Sequence, residues 1–321
     1  MKTLNGKKVL VTGSTGFIGA NLVKKSLGEG AELHILIRDT SYKWRINDVL
    51  EGVNIYHVDL SDYGHLKDIV LNIRPDIIYH TAAYGGSPFQ RDFWNIIKSN
   101  FIGTANLVNA CKNMDFELFV NTGSSSEYGI KAFPMRESDL LEPVNDYGVS
   151  KSAATLYCQS VAKNENLPIV TLRLFSPYGR HEGPTRLIPS VIMACIKNEK
   201  IKISSTKLVR DFIYIDDVLG AYAKLTGAYK ISGQIFNIGG GEQHSIGEVV
   251  NKIIELTGSE MVPETEGAPR WPNEPDRWQA DISKAKHLLN WHPKYNLEKG
   301  LNATIKWFEE NMPLYEECRR I

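Results

Sequence analysis

Two residues four positions apart, Tyr147 and Lys151, are the side chains of this sequence best suited to moving a proton. They fall in a predicted helix over 146–164, where a spacing of four places both on one face. A free phenol has a pKa of about 10 and is a poor base at neutral pH, whereas a neighbouring ammonium group favours its ionised form. The pair therefore indicates a tyrosine that donates and accepts a proton. Such pairs also occur on ordinary amphipathic helices, so other segments must support this interpretation.

Hydroxyl groups cluster in a second segment, 121–129, with the sequence NTGSSSEYG. The segment follows a predicted strand over 117–122, and ligands of open α/β sheets bind at the carboxyl ends of the strands. Ser124, Ser125 and Ser126 are therefore candidates for contact with a bound ligand. A single serine at such a position more commonly forms a local turn.

A glycine-rich loop over 12–19, TGSTGFIG, joins the first predicted strand to the first predicted helix. This context is typical of dinucleotide binding. Gly13 permits a tight turn, Gly16 lets the backbone approach a pyrophosphate at the helix N-terminus, and Gly19 lets the helix pack closely on the sheet. The loop predicts a dinucleotide cofactor.

Short apolar runs alternate with amphipathic helical patterns through the first 175 residues. The predicted strands are 8–12, 32–37, 54–58, 76–81, 117–122 and 169–174, and the predicted helices are 16–27, 62–72, 96–112 and 146–164. This rhythm predicts an α/β fold of the Rossmann type, a doubly wound parallel sheet with helices on both faces.

Glycine and proline become frequent after Phe175, which is typical of loops that hold ligands. Strand-like runs return at 209–215 and 234–238, and helical patterns return at 246–256 and 297–309. We therefore expect a dinucleotide-binding domain over 1–175 that the chain rejoins near 209–240. A smaller, mostly C-terminal substrate lobe is expected from 176–208 and 241–321.

The 37 basic and 37 acidic side chains cancel, so no net charge attracts the protein to nucleic acid or to an anionic membrane. No apolar run is long enough for a signal peptide or a membrane span, and we expect a cytoplasmic location. No metal site or disulfide framework is predicted. The four cysteines are scattered without ligand spacing: Cys111, Cys158, Cys195 and Cys318.

Four motifs together resemble the extended short-chain dehydrogenases/reductases that act on nucleotide sugars: the glycine loop, the YxxxK pair, VRDFIYIDDV at 209–218 and ADISKA at 280–285. The resemblance implies a catalytic triad of Ser124, Tyr147 and Lys151, because the family places a serine or threonine five residues before Gly129. It also implies a nucleotide-diphosphate sugar as substrate and a homodimer formed through the helices over 96–112 and 146–164.

The resemblance assigns further residues to the two ligands. The implied cofactor contacts are Gly13, Thr15, Gly16, Phe17, Ile18, Gly19, Arg38, Asp59, Leu60, Ala82, Ala83, Tyr147 and Lys151. The implied substrate contacts are Ser87, Ser125, Ser126, Ser176, Arg186, Leu187, Arg210 and Arg270. Ser176 stands where the family often has asparagine. Arg210 has a second interpretation, as half of a local ion pair with Asp211.

The end of the second predicted strand bears on the choice between NAD and NADP. An acid there would bind the ribose 2′-hydroxyl, whereas an arginine can pair with a 2′-phosphate. Ile37 occupies the position expected for the acid, and Arg38 follows it. We therefore favour NADP(H). NAD(H) stays open if Asp39 binds the ribose.

The hydroxyl-rich segment bears on the reaction. The 4,6-dehydratases of this family resemble Thr-Asp-Glu or Thr-Ser-Glu in this segment, and without a gap the last two positions are Ser125 and Ser126 here. A serine cannot act as the base that dehydration requires. Glu127 would enter that register only with a one-residue gap. Our first choice is reduction of a 4-keto nucleotide sugar at C4, and the alternative is a 4-epimerase with tightly bound NAD. A 4,6-dehydratase or a non-catalytic dinucleotide sensor is favoured less.

Overall fold

The computed structural model describes residues 4–87, 89–228, 231–265 and 276–318. Within these ranges the strands are β1 (Lys8–Thr12), β2 (Glu32–Ile37), β3 (Val53–His57), β4 (Ile77–His80), β5 (Leu118–Ser124), β6 (Ile169–Leu174), β7 (Pro177–Tyr178), β8 (Val209–Arg210), β9 (Ile213–Tyr214), β10 (Ile235–Ile238) and β11 (His244–Ser245). The helices are α1 (Phe17–Gly28), α2 (Tyr63–Ile73), α3 (Phe93–Ile97), α4 (Gly103–Cys111), α5 (Asp146–Glu165), α6 (Leu187–Lys197), α7 (Ile215–Leu225), α8 (Ile246–Thr257), α9 (Ser283–Leu289) and α10 (Leu297–Cys318).

Seven strands form one parallel sheet in the order β10-β6-β5-β4-β1-β2-β3. Strand order reverses between β1 and β4, and in open parallel sheets this point creates a ligand-binding crevice beyond the carboxyl ends. The glycine loop follows β1, and the serine-rich segment follows β5. The predicted Rossmann-type doubly wound fold is confirmed.

Alternate residues of the central strand bury opposite faces of the sheet, as the pleat of a strand requires. Val9 and Val11 belong to a core that includes side chains of α1 and α7, whereas Leu10 packs with side chains of α2, α4 and α5. All three are fully buried. The near-continuous apolar run of β1 therefore follows from helices that cover both faces.

Two glycines allow the loop after β1 to lie directly against its neighbours. Gly13 has φ +66°, and a Cβ there would lie 2.5 Å from the Ala82 nitrogen in the segment after β4. A Cβ on Gly19 would lie 2.2 Å from the Gly13 carbonyl oxygen. Any larger side chain at either position would push the loop away from the crevice.

The predicted helix over 96–112 is present, but a π-helical turn divides it. The chain forms α3, a π-helical turn at Lys98–Ile102, and α4 in direct succession. Asn100 lies in this turn, and its buried amide bonds the backbone nitrogen and oxygen of Tyr84 and the Ser150 hydroxyl. These three bonds give a physical reason for a local insertion in the helix.

The predicted strand over 209–215 is wrong as a single strand. β8 pairs with β11, whereas β9 pairs with β7. Between them the Asp211 carboxylate accepts backbone hydrogen bonds from Gly240, Gly241 and Ala280. The run therefore divides because this buried acid anchors other loops.

The proline-rich region after Phe175 holds more regular structure than its composition predicts. It contains α6, in which Pro189 occupies the first turn, where no intrahelical N–H bond is lost. The sequence argument also missed α7 and α9, and α10 continues past 309 to Cys318 across a kink at Asn311. The remaining predicted elements are present with ends shifted by at most two residues.

Across the described residues, no helix combines the length and apolar character needed to cross a membrane. In the same ranges, no group of three or more His, Cys, Asp or Glu side chains is placed to hold a metal ion. Cys111, Cys158 and Cys195 are buried free thiols.

The contact between α5 and the serine-rich segment generates a prediction about Gly148. A Cβ on this residue would lie 2.5 Å from the Ser126 carbonyl oxygen, so we expect Gly148→Ala to lower the free energy of unfolding by about 1–3 kcal/mol. Urea denaturation measures this change. The matched control is Gly28→Ala, since nothing lies within 4 Å of a Cβ at that helical position. Equal stability of the two variants would contradict the proposed close contact.

Candidate active site

Ser124 is the last residue of β5, and the chain turns sharply after it. A 3₁₀ turn at Ser125–Glu127 follows, in which Ser126 N donates to the Ser124 hydroxyl at 3.1 Å. In return, the Glu127 carboxylate accepts a hydrogen bond from Ser124 N at 2.8 Å. This reciprocal capping box fixes the backbone of Ser124 at the carboxyl edge of the sheet.

Glu127, the acid of this segment, points into the protein. Its side chain is fully buried, and its second oxygen lies 2.7 Å from Arg173 Nε of β6. The lining of the adjoining cavity includes Ser124, Ser125 and Ser126 but does not include Glu127. Glu127 is therefore not placed to act on a ligand in this cavity as a dehydratase acid would.

The start of α5 brings Tyr147 and Lys151 to the same cavity. The Asn145 side chain caps this helix by accepting from Gly148 N at 2.8 Å. Burial raises the pKa of Tyr147, whereas a hydrogen bond with Ser124 and the charge of Arg186 lower it. Burial also lowers the pKa of Lys151, against the charge of Glu127. From the sequence, we expected Lys151 to lower the pKa of Tyr147. In the structure, Ser124 and Arg186 are the groups that lower it, and they oppose the effect of burial.

The cavity above these residues has a volume of about 410 Å³. Two described segments from the second half of the chain close its far side, one near the start of α6 and one around β8. The sequence-predicted residues that line it are Ile18, Ala83, Ser124, Ser125, Ser126, Tyr147, Lys151, Ser176, Arg186, Leu187 and Arg210. Residues distant in sequence thus share one space.

Arg186 is one of the residues that line this cavity. Its guanidinium donates to the Gly86 carbonyl at 3.1 Å and lies 3.7 Å from a Glu182 carboxylate oxygen. Gly86 in turn faces the phenol, since a Cβ on it would lie 4.0 Å from the Tyr147 oxygen. A cation is therefore held close to the tyrosine hydroxyl.

Arg210 and Asp211 have different surroundings. The Asp211 carboxylate is occupied by three backbone N–H groups, whereas the Arg210 guanidinium lies 4.9 Å from the centre of the Trp278 ring. Both Arg210 and Trp278 line the cavity. The geometry favours the ligand-contact interpretation of Arg210 over the local ion pair. A guanidinium beside an aromatic ring suits a nucleotide's phosphates and base.

A second cavity, of about 290 Å³, follows the glycine loop. It shares Thr81 and Ala83 with the first cavity, so the two adjoin at the carboxyl end of β4. The sequence-predicted residues that line it are Gly13, Thr15, Gly16, Arg38, Asp59, Leu60, Ala82 and Ala83.

The residues of this second cavity fit a dinucleotide. Gly13 and Gly16 leave room for a phosphate at the N-terminus of α1, which carries partial positive charge. Burial opposes ionisation of Asp59, but hydrogen bonds from Ser61 and the charges of Arg38 and Lys98 lower its pKa below the usual value. A carboxylate acceptor suited to a ribose or adenine N–H or O–H group therefore lies at the far end.

The structure separates Arg38 from Asp39 at the end of β2. Arg38 lines the dinucleotide cavity, whereas the Asp39 carboxylate lies 2.6 Å from His57 Nδ1 and is not among the lining residues. The alternative in which Asp39 binds the ribose therefore requires this side chain to leave His57.

Three predicted contacts do not line either cavity. Phe17 packs against the hydrophobic core, and Gly19 contributes only the close approach of α1 to Gly13. Ser87 lies in a bend, where its carbonyl accepts a hydrogen bond from Gln90 N. Its neighbour Gly86 lines the cavity instead. Arg270 lies outside the described residues.

The sequence argument missed several lining residues because no motif marks them. Arg45 is one: it donates to the Thr15 carbonyl at 3.0 Å and to the His181 carbonyl at 2.7 Å, so it joins the glycine loop to the segment before α6. Glu182 is another, and it is the one carboxylate among the described residues that line the larger cavity. Its Oε2 atom is buried without a hydrogen-bond partner.

Residues 9–239 match the NAD dependent epimerase/dehydratase family, and the chain is an enzyme of this family. The predicted membership in the extended short-chain dehydrogenases/reductases that act on nucleotide sugars is therefore confirmed.

Relatives that are similar over nearly their whole length differ in activity. The chain is 30% identical to a UDP-glucuronate 4-epimerase of Thermodesulfobacterium geofontis, covering 97% of this chain and 98% of that protein. It is also 30% identical to a dTDP-D-glucose 4,6-dehydratase of Bos taurus, covering 98% and 92%. Among solved structures, a UDP-glucuronic acid 4-epimerase of Bacillus cereus in complex with UDP-glucuronic acid and NAD aligns with a TM-score of 0.82 at 29% identity, covering 94% of this chain and 99% of that one.

The surroundings of Glu182 generate a prediction about pH. Burial raises the pKa of Glu182 to about 7, against the charge of Arg186. Because the folded state binds this proton more tightly than the unfolded state, the contribution of Glu182 to stability falls as pH rises from its ordinary value of 4.5 to about 7. We expect Glu182→Gln to raise the free energy of unfolding at neutral pH by on the order of 1–3 kcal/mol, because the variant has no carboxyl group to lose a proton there.

Denaturation of both proteins across this pH range measures the effect. The stability difference between Glu182→Gln and the parent chain should grow from acid to neutral pH and then level off. The exposed Glu51→Gln provides the control and should show a constant difference. A Glu182→Gln curve parallel to that of the parent would contradict the assignment.

Proposed function

We propose that the chain inverts C4 of a nucleoside diphosphate sugar, with NAD held throughout the reaction. The observation that carries the proposal is the meeting of Ser124, Tyr147 and Lys151 in one cavity while Glu127 is withdrawn into the protein. This arrangement can move a proton on and off a sugar hydroxyl, and it lacks the dehydratase acid of the serine-rich segment. The 30% identical 4-epimerase supports the same reaction.

The chain's own residues perform the acid/base part of this reaction. A bound nicotinamide dinucleotide supplies hydride acceptance and donation at C4. Tyr147 takes the proton of the sugar 4-hydroxyl and returns it after the sugar has presented its other face. Ser124 donates a hydrogen bond to the same oxygen, the charge of Arg186 lowers the cost of the phenolate, and Lys151 would hold the hydroxyl groups of the nicotinamide ribose. The cavity of about 410 Å³ provides space for the sugar to turn.

The substrate is bound by cations that line the cavity. Arg186 and Arg210 both line it, and a guanidinium can form two parallel hydrogen bonds with phosphate oxygens. Ser125, Ser126 and Ser176 add hydroxyl groups near the sugar. The neutral net charge of the chain is compatible with an anionic substrate because this positive charge is local.

Replacement of Tyr147 tests the reaction. We expect Tyr147→Phe to reduce kcat by about 10²- to 10⁴-fold, because the proton acceptor is lost while the aromatic ring stays. Conversion of UDP-glucuronate or UDP-glucose to the 4-epimer is followed by chromatography. Tyr157→Phe on the same helix is the control, since the Tyr157 hydroxyl accepts from Asn109 away from the cavity. Turnover that survives in Tyr147→Phe would contradict the proposal.

A second candidate is reduction of a 4-keto nucleotide sugar by NADPH, and the position of Arg38 favours it. Arg38 lines the dinucleotide cavity, whereas Asp39 is bonded to His57. The two candidates differ in cofactor behaviour. One equivalent of NAD released from the denatured protein, without any external cofactor demand, supports epimerisation. Oxidation of NADPH by a 4-keto nucleotide sugar would instead establish reduction.

We also propose that two copies of the chain associate through α3 and α5. The two helices pack together, and they expose large apolar side chains: Phe93, Trp94, Val149 and Leu156. Val149 and Leu156 are seven residues apart, so they lie on one face of α5. A second copy presenting the same self-complementary face would cover this surface in a twofold dimer.

A charge on this face should separate the copies. We expect Leu156→Asp to convert a dimer to a monomer, because pairing would bury an unpaired carboxylate. Size-exclusion chromatography with light scattering measures the mass. Leu288→Asp serves as the control, since Leu288 is also exposed but lies on α9. Dimers that persist in Leu156→Asp, or a monomeric parent chain, would contradict this interface.

A further inference from the structure

A buried ion pair between Glu127 and Arg173 adjoins the backbone of Ser124. The side chains of Glu127 and Arg173 are 0% and 1% exposed, so neither charge is solvated by bulk water. One carboxylate oxygen of Glu127 accepts from Arg173 Nε at 2.7 Å, and the other accepts from Ser124 N at 2.8 Å. The same carboxylate therefore bonds both its counter-ion and the backbone of the proposed catalytic serine.

The surrounding contacts hold this pair in place. Arg173 also donates to the Tyr128 hydroxyl at 2.8 Å, and that hydroxyl donates to Asn237 Oδ1 at 2.7 Å. A Cβ on Gly123 would lie 2.7 Å from a Glu127 oxygen, so the carboxylate fills the space beside β5. The chain of bonds crosses β5, β6 and β10, which prevents the acid from swinging into the cavity.

The charge of Glu127 acts on both titrating residues of the site. Burial raises the pKa of Tyr147 and lowers the pKa of Lys151, and the negative charge of Glu127 adds to the first shift and opposes the second. A hydrogen bond with Ser124 of β5 and the charge of Arg186, at the N-cap of α6, lower the pKa of Tyr147. Cys158 on α5 is the other group that acts on Lys151.

We propose that Glu127 and Arg173 are positioning residues of the active site, which orient Ser124 through its backbone and set the electrostatic field at Tyr147. This inference rests on the proposed function, in which Tyr147 exchanges a proton with the substrate. Neither residue touches substrate. Their effect passes through Ser124 and through the field at the phenol.

Two single variants should move the ionisation of Tyr147 in opposite directions. Glu127→Gln keeps an oxygen for Ser124 N but leaves the positive charge of Arg173, so the phenol should ionise at a lower pH. Arg173→Met leaves the negative charge of Glu127, so the phenol should ionise at a higher pH. The double variant Glu127→Gln/Arg173→Met removes both charges and should return close to the parent value.

The ionisation can be followed without turnover. A fluorinated tyrosine incorporated at position 147 titrates at lower pH than tyrosine, which keeps the measurement within the range where the protein is folded, and ¹⁹F NMR reports its charge. The pH dependence of kcat/KM should shift in the same directions. Arg173→Lys, which keeps the charge, is the matched control and should leave the titration in place.

Each outcome decides the inference. Opposite shifts that cancel in the double variant support it. Equal shifts of the same sign in both single variants, or no shift in either, would show a structural role only and overturn it. If Arg173→Met does not fold, Glu127→Gln and the double variant still carry the comparison, since only Glu127→Gln should shift. Absence of epimerase activity would overturn the proposed reaction, while the titration would still decide this inference.

Discussion

The register of the parallel sheet is the constraint on which the site depends. Thr12, His80, Asn121 and Thr171 are direct partners across β1, β4, β5 and β6. All four are buried, and they bond in pairs: Thr12 with His80 at 2.6 Å, and Asn121 with Thr171 at 3.1 Å. A slip of one residue would leave these polar groups buried without partners, which is costly. The polar row therefore fixes the register of the four strands, and the segments that bind ligands begin directly after it at β1 and β4 and three residues later at β5 and β6.

Burial determines the electrostatics of the site more than local sequence does. His80 lies behind the glycine loop, where burial lowers its pKa to about 3, so it acts as a neutral link between Thr12 and Thr104. Lys151 is also buried, and its ordinary charged state is opposed by desolvation. Three basic side chains nevertheless line one cavity, Lys151, Arg186 and Arg210, in a chain whose net charge is zero.

The relatives of this chain show how much chemistry one scaffold can host. A 4-epimerase and a 4,6-dehydratase are equally similar to it in sequence identity. Oxidation at C4 is chemistry that a shared tyrosine, lysine and hydroxyl group can support, so overall similarity says little about the later steps. Distinguishing groups are to be sought among the residues that line the larger cavity, such as Ser125 and Ser126 here, and in the position of each acid relative to that cavity.

The sequence by itself determined the parallel fold, the glycine loop and the pairing of Tyr147 with Lys151. These features depend on local spacing: apolar runs of strand length, glycines where the backbone must turn, and two side chains four residues apart on one helix face. The tertiary structure alone decided the fate of Glu127, which by spacing could have been a catalytic acid. It is directed inward because Arg173, 46 residues away in sequence, is its neighbour on the adjacent strand. Likewise Arg45 and Glu182 reach the ligand cavities only through folding, since contacts between distant segments leave no periodic signal in the chain.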